Sequence, residues 1–317
     1  MSAQSHAGPA GAPRRPSPPA RRTLLQRLAG SEHLAGWAFV SPAVLLIAVF
    51  ALIPIGWSLV LSLQANNLIA PAHYVGLANY KALAKDHAFR SAVGHTLVYT
   101  AIFVPVSVVG ALGLAVALNR KIRGIRFYRL AVFVPLVTST VATGIIFLWL
   151  LDPTFGLVNY ALHLVGLPQQ QFLQDPNEAL YCIVAMTVWG WLGFDVIIYL
   201  AALQGIPQDL LEASEMDGAG RWATFRSVVV PLLGPATLFL VVWSTINALQ
   251  LFDEIYVTTR GGPLASTTVI VYYLYQQAFQ FFNGGYGAAI AYVLFVAILL
   301  VTLLQMWVGR RRVYYSS

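Results

Sequence analysis

The chain has 317 residues, of which 58% are hydrophobic and only 10% charged, with a mean hydropathy of +0.69. Soluble domains carry about 25% charged residues, so a water-soluble globular enzyme is excluded and an integral membrane protein is indicated. The formal net charge of +7 sits in the connections between apolar segments, which argues for membrane topology and lipid contact and against nucleic-acid binding.

In chain order, residues 1–30 are rich in Pro, Ala and Arg and read as a disordered basic tail beside the membrane surface. They lack the short apolar core ending in small residues that marks a cleavable signal. Six apolar segments follow, each long enough to cross a bilayer at about 20 residues per span. They are Trp37–Leu63, Val93–Leu118, Leu130–Leu151, Ala179–Leu203, Leu232–Leu251 and Tyr286–Val308. The expected fold is all-α: an integral six-span domain over 31–312, then a short tail at 313–317.

Lys and Arg orient these spans. The N-terminal tail holds five (Arg14, Arg15, Arg21, Arg22, Arg27), as does the second connection (Arg120, Lys121, Arg123, Arg126, Arg129). With Arg221, Arg226 and Arg310–Arg312, that places fifteen of the 19 on one side, against Lys81, Lys85, Arg90 and Arg260 on the other. The positive-inside rule puts both termini in the cytoplasm of a multi-pass cell-membrane protein. The single cysteine, Cys182, lies within a predicted span and reads as a small apolar packer.

The loop between the fourth and fifth spans, 204–231, is the most distinctive polar stretch. It holds Asp209, Glu212, Glu215 and Asp217, four of the twelve acids. Pro207 suits the first position of a helix, and Asp209 and Glu212 favour its positive end. Gly218 is a C-terminal stop. Trp222, Phe225 and Val229 recur at helical spacing as one apolar face, with Arg221 and Arg226 off it, and Pro231 marks a break before the next span. The pattern predicts two short helices joined by an Asp-Gly turn, an element suited to docking on the cytoplasmic side.

The flanking spans are unusually polar. Thr187, Trp191, Phe194 and Asp195 share one face of the fourth. A carboxylate at mid-membrane is costly, so Asp195 should face protein or water: it either recognises hydroxyls or makes a structural hydrogen bond. Ser244, Asn247 and Leu251 share a face of the fifth, where Ser and Asn either line a path or hold helices together. No Gly-rich phosphate loop ending in Gly-Lys-Ser/Thr occurs: the three lysines, Lys81, Lys85 and Lys121, follow Tyr, Ala and Arg. No metal-ligand spacing or Gly-x-Ser-x-Gly elbow is present either. The chain is not expected to be an enzyme or to bind a metal or cofactor itself.

The order Glu212-Ala213-Ser214, then Gly218, then Val228-Val229-Val230-Pro231 resembles the EAA loop of the permease subunits of binding-protein-dependent ABC importers. Ser214 stands where that pattern usually has Ala, and Val228 and Val230 where it prefers Ile and Leu; Glu212, Gly218 and Pro231 stay in register. Leu203–Pro207 and Asp217-Gly218-Ala219 are similar to the carbohydrate-importer branch. So are Val75–Tyr80, Phe252–Tyr256 with Gly261-Gly262-Pro263, and Tyr272–Tyr275 with Gly285-Tyr286-Gly287. The resemblance covers about residues 37–310.

It implies a type I importer fold and a permease subunit translocating a sugar, oligosaccharide or polyol delivered by an external solute-binding protein. A separate ATPase dimer would use ATP and Mg and receive the loop through Glu212, Ala213, Ser214, Asp217 and Gly218. A second permease, expected to be a different chain, would complete the membrane unit. Thr187, Trp191, Phe194, Asp195, Ser244, Asn247 and Leu251 would line the substrate path. Gly261, Gly262 and Pro263, which alone read as a tight turn, would lie in a loop approached by the binding protein. The loop 152–178, with Asp152, Asp175 and Glu178 and no Lys or Arg, reads as solvated. A self-contained proton- or ion-coupled transporter using Asp195 is the alternative; it leaves the Glu212 loop unexplained, and no inverted repeat is evident.

Overall fold

Prolines and small residues decide where the helices of this chain bend and how closely they approach. The computed structural model describes residues 32–67, 71–120 and 123–310. The expected tails at 1–30 and 313–317, with Lys121, Arg311 and Arg312, lie outside them. Contacts divide the chain into two units, 1–56 and 57–317.

The first span, Gly36–Ser62, consists of α1 (Glu32–Ile47), a wide π turn at Ala48–Leu52 and α2 (Ile53–Ser62). The π turn has a local cause. Pro54 has no N–H for the carbonyl four residues back, and the Ile53 N–H bonds instead to Ala48, five residues back. The same device recurs at Phe225–Val229, where the Val230 N–H bonds to Phe225 just ahead of Pro231.

After the first span, a minimal hairpin pairs β1 (Gln64–Ala65) antiparallel with β2 (His73–Tyr74). The segment Val75–Tyr80 closes it and starts α3 (Ala78–Lys85). Asn79 Nδ2 donates to the Ser62 and Gln64 carbonyls at 2.8 and 2.9 Å, and Tyr80 Oη lies 2.7 Å from Ser62 Oγ.

The second span is α4 (His87–Leu118). Asp86 caps it, Oδ1 accepting from the Ala88 and Phe89 amides at 2.9 and 3.3 Å. Its Oδ2 accepts from the hydroxyls of Tyr273 and Tyr286 at 2.5 and 2.6 Å. Burial pushes this carboxyl up, but the four donors outweigh burial and hold it below its ordinary range. Burial and the carboxylate push the Tyr273 hydroxyl up to about 12.

The expected third span, Leu130–Leu151, is not one helix. It consists of α5 (Ile125–Phe133), a 3₁₀ turn at Pro135–Val137 and α6 (Thr140–Leu150), bent by 105°. Pro135 opens the 3₁₀ turn, Thr138 is extended, and Ser139 caps α6 by accepting from the Ala142 amide at 3.2 Å. The first arm lies against the fourth span at Gly193, where a Cβ would stand 2.7 Å from the Val132 carbonyl oxygen. The loop at 152–178 is folded rather than simply solvated. It contains α7 (Leu157–Leu164), and Asp152, Asp175 and Glu178 each accept from backbone N–H groups.

The fourth span, α8 (Ala179–Gln204), packs along α4 through Ala111, Ala115, Ile183 and Val196, all fully buried. Small residues four apart on α4 allow this approach. The loop 204–231 holds α9 (Gln208–Met216) and α10 (Arg221–Thr224). Pro207 precedes α9 as its cap rather than opening it. After the π turn, α11 (Val230–Leu232) carries Pro231 within a single helical turn, and the expected break before the next span falls at Leu233. The fifth span, Gly234–Val257, comprises α12 (Gly234–Leu249) and, after a kink at 250–252, α13 (Asp253–Val257). Next come α14 (Ile270–Tyr275) and the last span, α15 (Gly284–Arg310). Tyr199 Oη donates to Thr237 Oγ1 at 3.0 Å, joining α8 to α12, and Gln305 Nε2 donates to Thr245 Oγ1 at 2.8 Å, joining α15 to α12. Among the described residues, five helices are long and apolar enough to cross a membrane, or six with the bent pair.

Candidate functional site: a polar cavity and a docking loop

The expected polar faces of the fourth and fifth spans meet. Thr187, Trp191 and Asp195 from α8, with Ser244, Asn247 and Leu251 from α12 and its end, line one cavity of about 170 Å³. Phe194 does not. Its ring packs at a tilt against Trp243, centroids 5.6 Å apart, and so holds in place an indole that lines the cavity. The polar groups are only partly committed: Thr187 donates to the Ile183 carbonyl and Asn247 Nδ2 to the Trp243 carbonyl, both at 2.8 Å. These bonds leave the Asn247 carbonyl free to accept.

Reading the sequence span by span missed the residues that complete the wall: Tyr99 and Phe103 from α4, Thr140 from the elbow of the bent span, Gln250 from the kink, and Asp253 and Glu254 from the start of α13. Thr140, Thr187, Trp191 and Glu254 also line an adjoining lobe of about 190 Å³, together with Thr138 and Ser139. Polar residues at the bend and the acidic pair after Phe252 were the available signals.

The loop offers a different surface. Glu212, Ala213, Asp217 and Gly218 are exposed, and Gly218 takes φ +78°, which supplies the left-handed stop after α9. Ser214 is half-buried instead, its hydroxyl 2.9 Å from Thr224 Oγ1, so it braces α9 against α10. Trp222 stacks on Phe225 at 5.6 Å, yet Trp222 itself is 71% exposed and Met216 is 90% exposed. The expected single apolar face of Trp222, Phe225 and Val229 is therefore only partly packed.

Gly261 is buried beneath Thr268 and Tyr272, and the Gly262–Pro263 peptide bond is cis. What this turn presents outward is Leu264, 90% exposed, and Ala265. Among the described residues, no group of three or more His, Cys, Asp or Glu could hold a metal ion.

Residues 110–314 match the family described as binding-protein-dependent transport system inner membrane component. The chain is 38% identical over 285 residues to the lactose transport system permease protein LacF of Rhizobium radiobacter, covering 87% of this chain and 94% of that protein. It is 34% identical over 279 residues to the arabinooligosaccharides transport system permease protein AraP of Bacillus subtilis, covering 87% and 88%. It is 31% identical over 294 residues to the sn-glycerol-3-phosphate transport system permease protein UgpA of Agrobacterium fabrum, covering 92% and 100%. A crystal structure of a bacterial alginate ABC transporter contains a chain of the same fold, with a TM-score of 0.79 over 91% of this chain and 97% of that chain at 22% identity. The match spans the loop 204–231 and both polar spans, and it leaves the self-contained carrier without support. The chain belongs to the family of inner membrane components of binding-protein-dependent transport systems.

Proposed function

We propose that this chain is the permease subunit of an ATP-driven importer for a carbohydrate or related polyol. The observation that carries the cargo class is the cavity wall, which combines aromatic rings (Tyr99, Trp191, Trp243) with hydroxyl, amide and carboxylate groups (Thr187, Ser244, Asn247, Asp195). Rings cover the apolar faces of a sugar while the polar groups pair with its hydroxyls. Permeases named for lactose and for arabinooligosaccharides among the relatives support the same reading.

Energy comes from a separate ATPase dimer using ATP and Mg. The exposed helix α9, through Glu212, Ala213, Asp217 and Gly218 with Ser214 as its brace, seats in that partner and passes its motion to α8 and α12. Exposed Met216 and Trp222 on a polar loop fit such a docking face. The loop and both termini are cytoplasmic. An external binding protein meets the opposite side near Gly261, Gly262 and Pro263, with Leu264 at the contact, and a second, different permease completes the path.

Purification of the complex in mild detergent from its native cell, with mass spectrometry, tests this. Recovery of a second six-span protein, an ATPase and a binding protein supports it. Recovery of the chain alone, with transport that survives ATP depletion, refutes it.

A further inference from the structure

The cavity contains three carboxylates and no cation. Asp195, Asp253 and Glu254 line it, and none of the described residues lining either lobe is Lys, Arg or His. Glu254 is 9% exposed and lines both lobes together with Trp191. Asp195 is 3% exposed, it faces the cavity, and among the described residues nothing donates a hydrogen bond to it. A buried carboxylate without a donor is costly, and the cost is relieved by whatever fills the space in front of it. A hydroxyl or ammonium group entering beside Trp191 supplies that donor. When these carboxyls are ionised, an anion there meets like charge with no cation to offset it, in surroundings where charges interact more strongly than in bulk water.

We propose that this cavity is a charge filter within the membrane subunit. It admits carbohydrate that is neutral or carries an amino group and rejects uronates and phosphate esters, with Asp195 as the residue that makes the distinction. The nature of the cargo rests on the importer reading above; the sign of the field does not, and it can be measured without knowing the sugar.

The test places a thiol in the wall: Asn247→Cys in a Cys182→Ala background, in the complex held in membrane vesicles. Its labelling rates are compared for two methanethiosulfonates of similar size, one bearing trimethylammonium and one sulfonate, each normalised to its rate with a small free thiol. The cationic reagent is expected to react about tenfold faster, the scale on which a like-signed lining enriches counter-ions. Asp195→Asn should cut that ratio to about threefold, Asp195→Asn with Glu254→Gln and Asp253→Asn should bring it close to one, and Asp195→Lys should favour the anion. Equal rates before these changes, or faster reaction with the sulfonate because a partner subunit supplies a cation, overturn the filter while leaving the importer reading intact. A thiol that reacts only with uncharged methyl methanethiosulfonate also overturns the filter. A thiol inert to all three overturns both the filter and the cavity as a transport path.

Discussion

Replacing Asp86 by Asn isolates the contact that joins three distant parts of the chain. Asn still caps α4, because its side-chain oxygen can accept from the Ala88 and Phe89 amides that Asp86 serves. It loses the charge that draws in the hydroxyls of Tyr273 and Tyr286 at 2.5 and 2.6 Å. A hydrogen bond to a charged group is worth about 1.5–3 kcal/mol when well shielded. Asp86 is only half-buried, so solvent screening lowers this to roughly 1 kcal/mol for each hydroxyl. The substitution should therefore cost about 1–2 kcal/mol. Unfolding titrations in mixed detergent micelles measure this, with Tyr273→Phe and the double variant completing a cycle whose coupling energy should be about 1 kcal/mol. The pH dependence has a definite sign. The native carboxyl lies below its ordinary value of 3.8, so its contribution is fully present above that value. It is lost as the pH falls through the native value. The Asn variant should show no such loss. Wild-type stability in Asp86→Asn, or zero coupling to Tyr273, would refute the reasoning.

Three further outcomes are expected. Gly193→Ala should push the first arm of the bent span away from α8 and cost about 1–3 kcal/mol in the same unfolding titrations, because the new Cβ would stand 2.7 Å from the Val132 carbonyl oxygen; Gly113→Ala, with nothing within 4 Å, should be neutral or mildly stabilising there. Ser214→Ala removes the bond to Thr224 and should cost about 0.5–1.5 kcal/mol locally, read as faster amide hydrogen exchange in α9. Gly218→Val forces a β-branched residue to φ +78°, at a cost of about 1–3 kcal/mol; ATP hydrolysis by the complex should then proceed with little sugar uptake, and normal uptake per ATP would contradict the docking role.

Most of the architecture was legible because length and apolarity alone mark a span. The bent third span was not. Leu130–Leu151 is continuous in apolarity, and hydropathy does not register that Pro135 lacks a donor or that Ser139 offers a new cap. Loop chemistry was half legible. Gly218 announced its own left-handed turn, whereas Ser214 looked like a minor variation in an outward-facing motif until Thr224 was found beside it. Periodicity put Thr187, Trp191 and Asp195 on one face and Ser244 and Asn247 on another, and the two faces meet. The same periodicity failed for Phe194, which supports the wall from behind, and for Glu254, which enters only because the fifth span kinks after Leu249. Contributions from Tyr99 and Phe103 depend on how α4 crosses α8, which no local pattern encodes.

Tyr273 and Tyr286 lie 187 and 200 positions beyond Asp86. During synthesis the second span must therefore be made, and wait, with this carboxylate serving only the start of its own helix, until Tyr273 and Tyr286 have left the ribosome. The ties to the second span come from α14 and α15, so a polypeptide ending short of Tyr273 can contain the first five spans, the bent third among them, and still lack this closure.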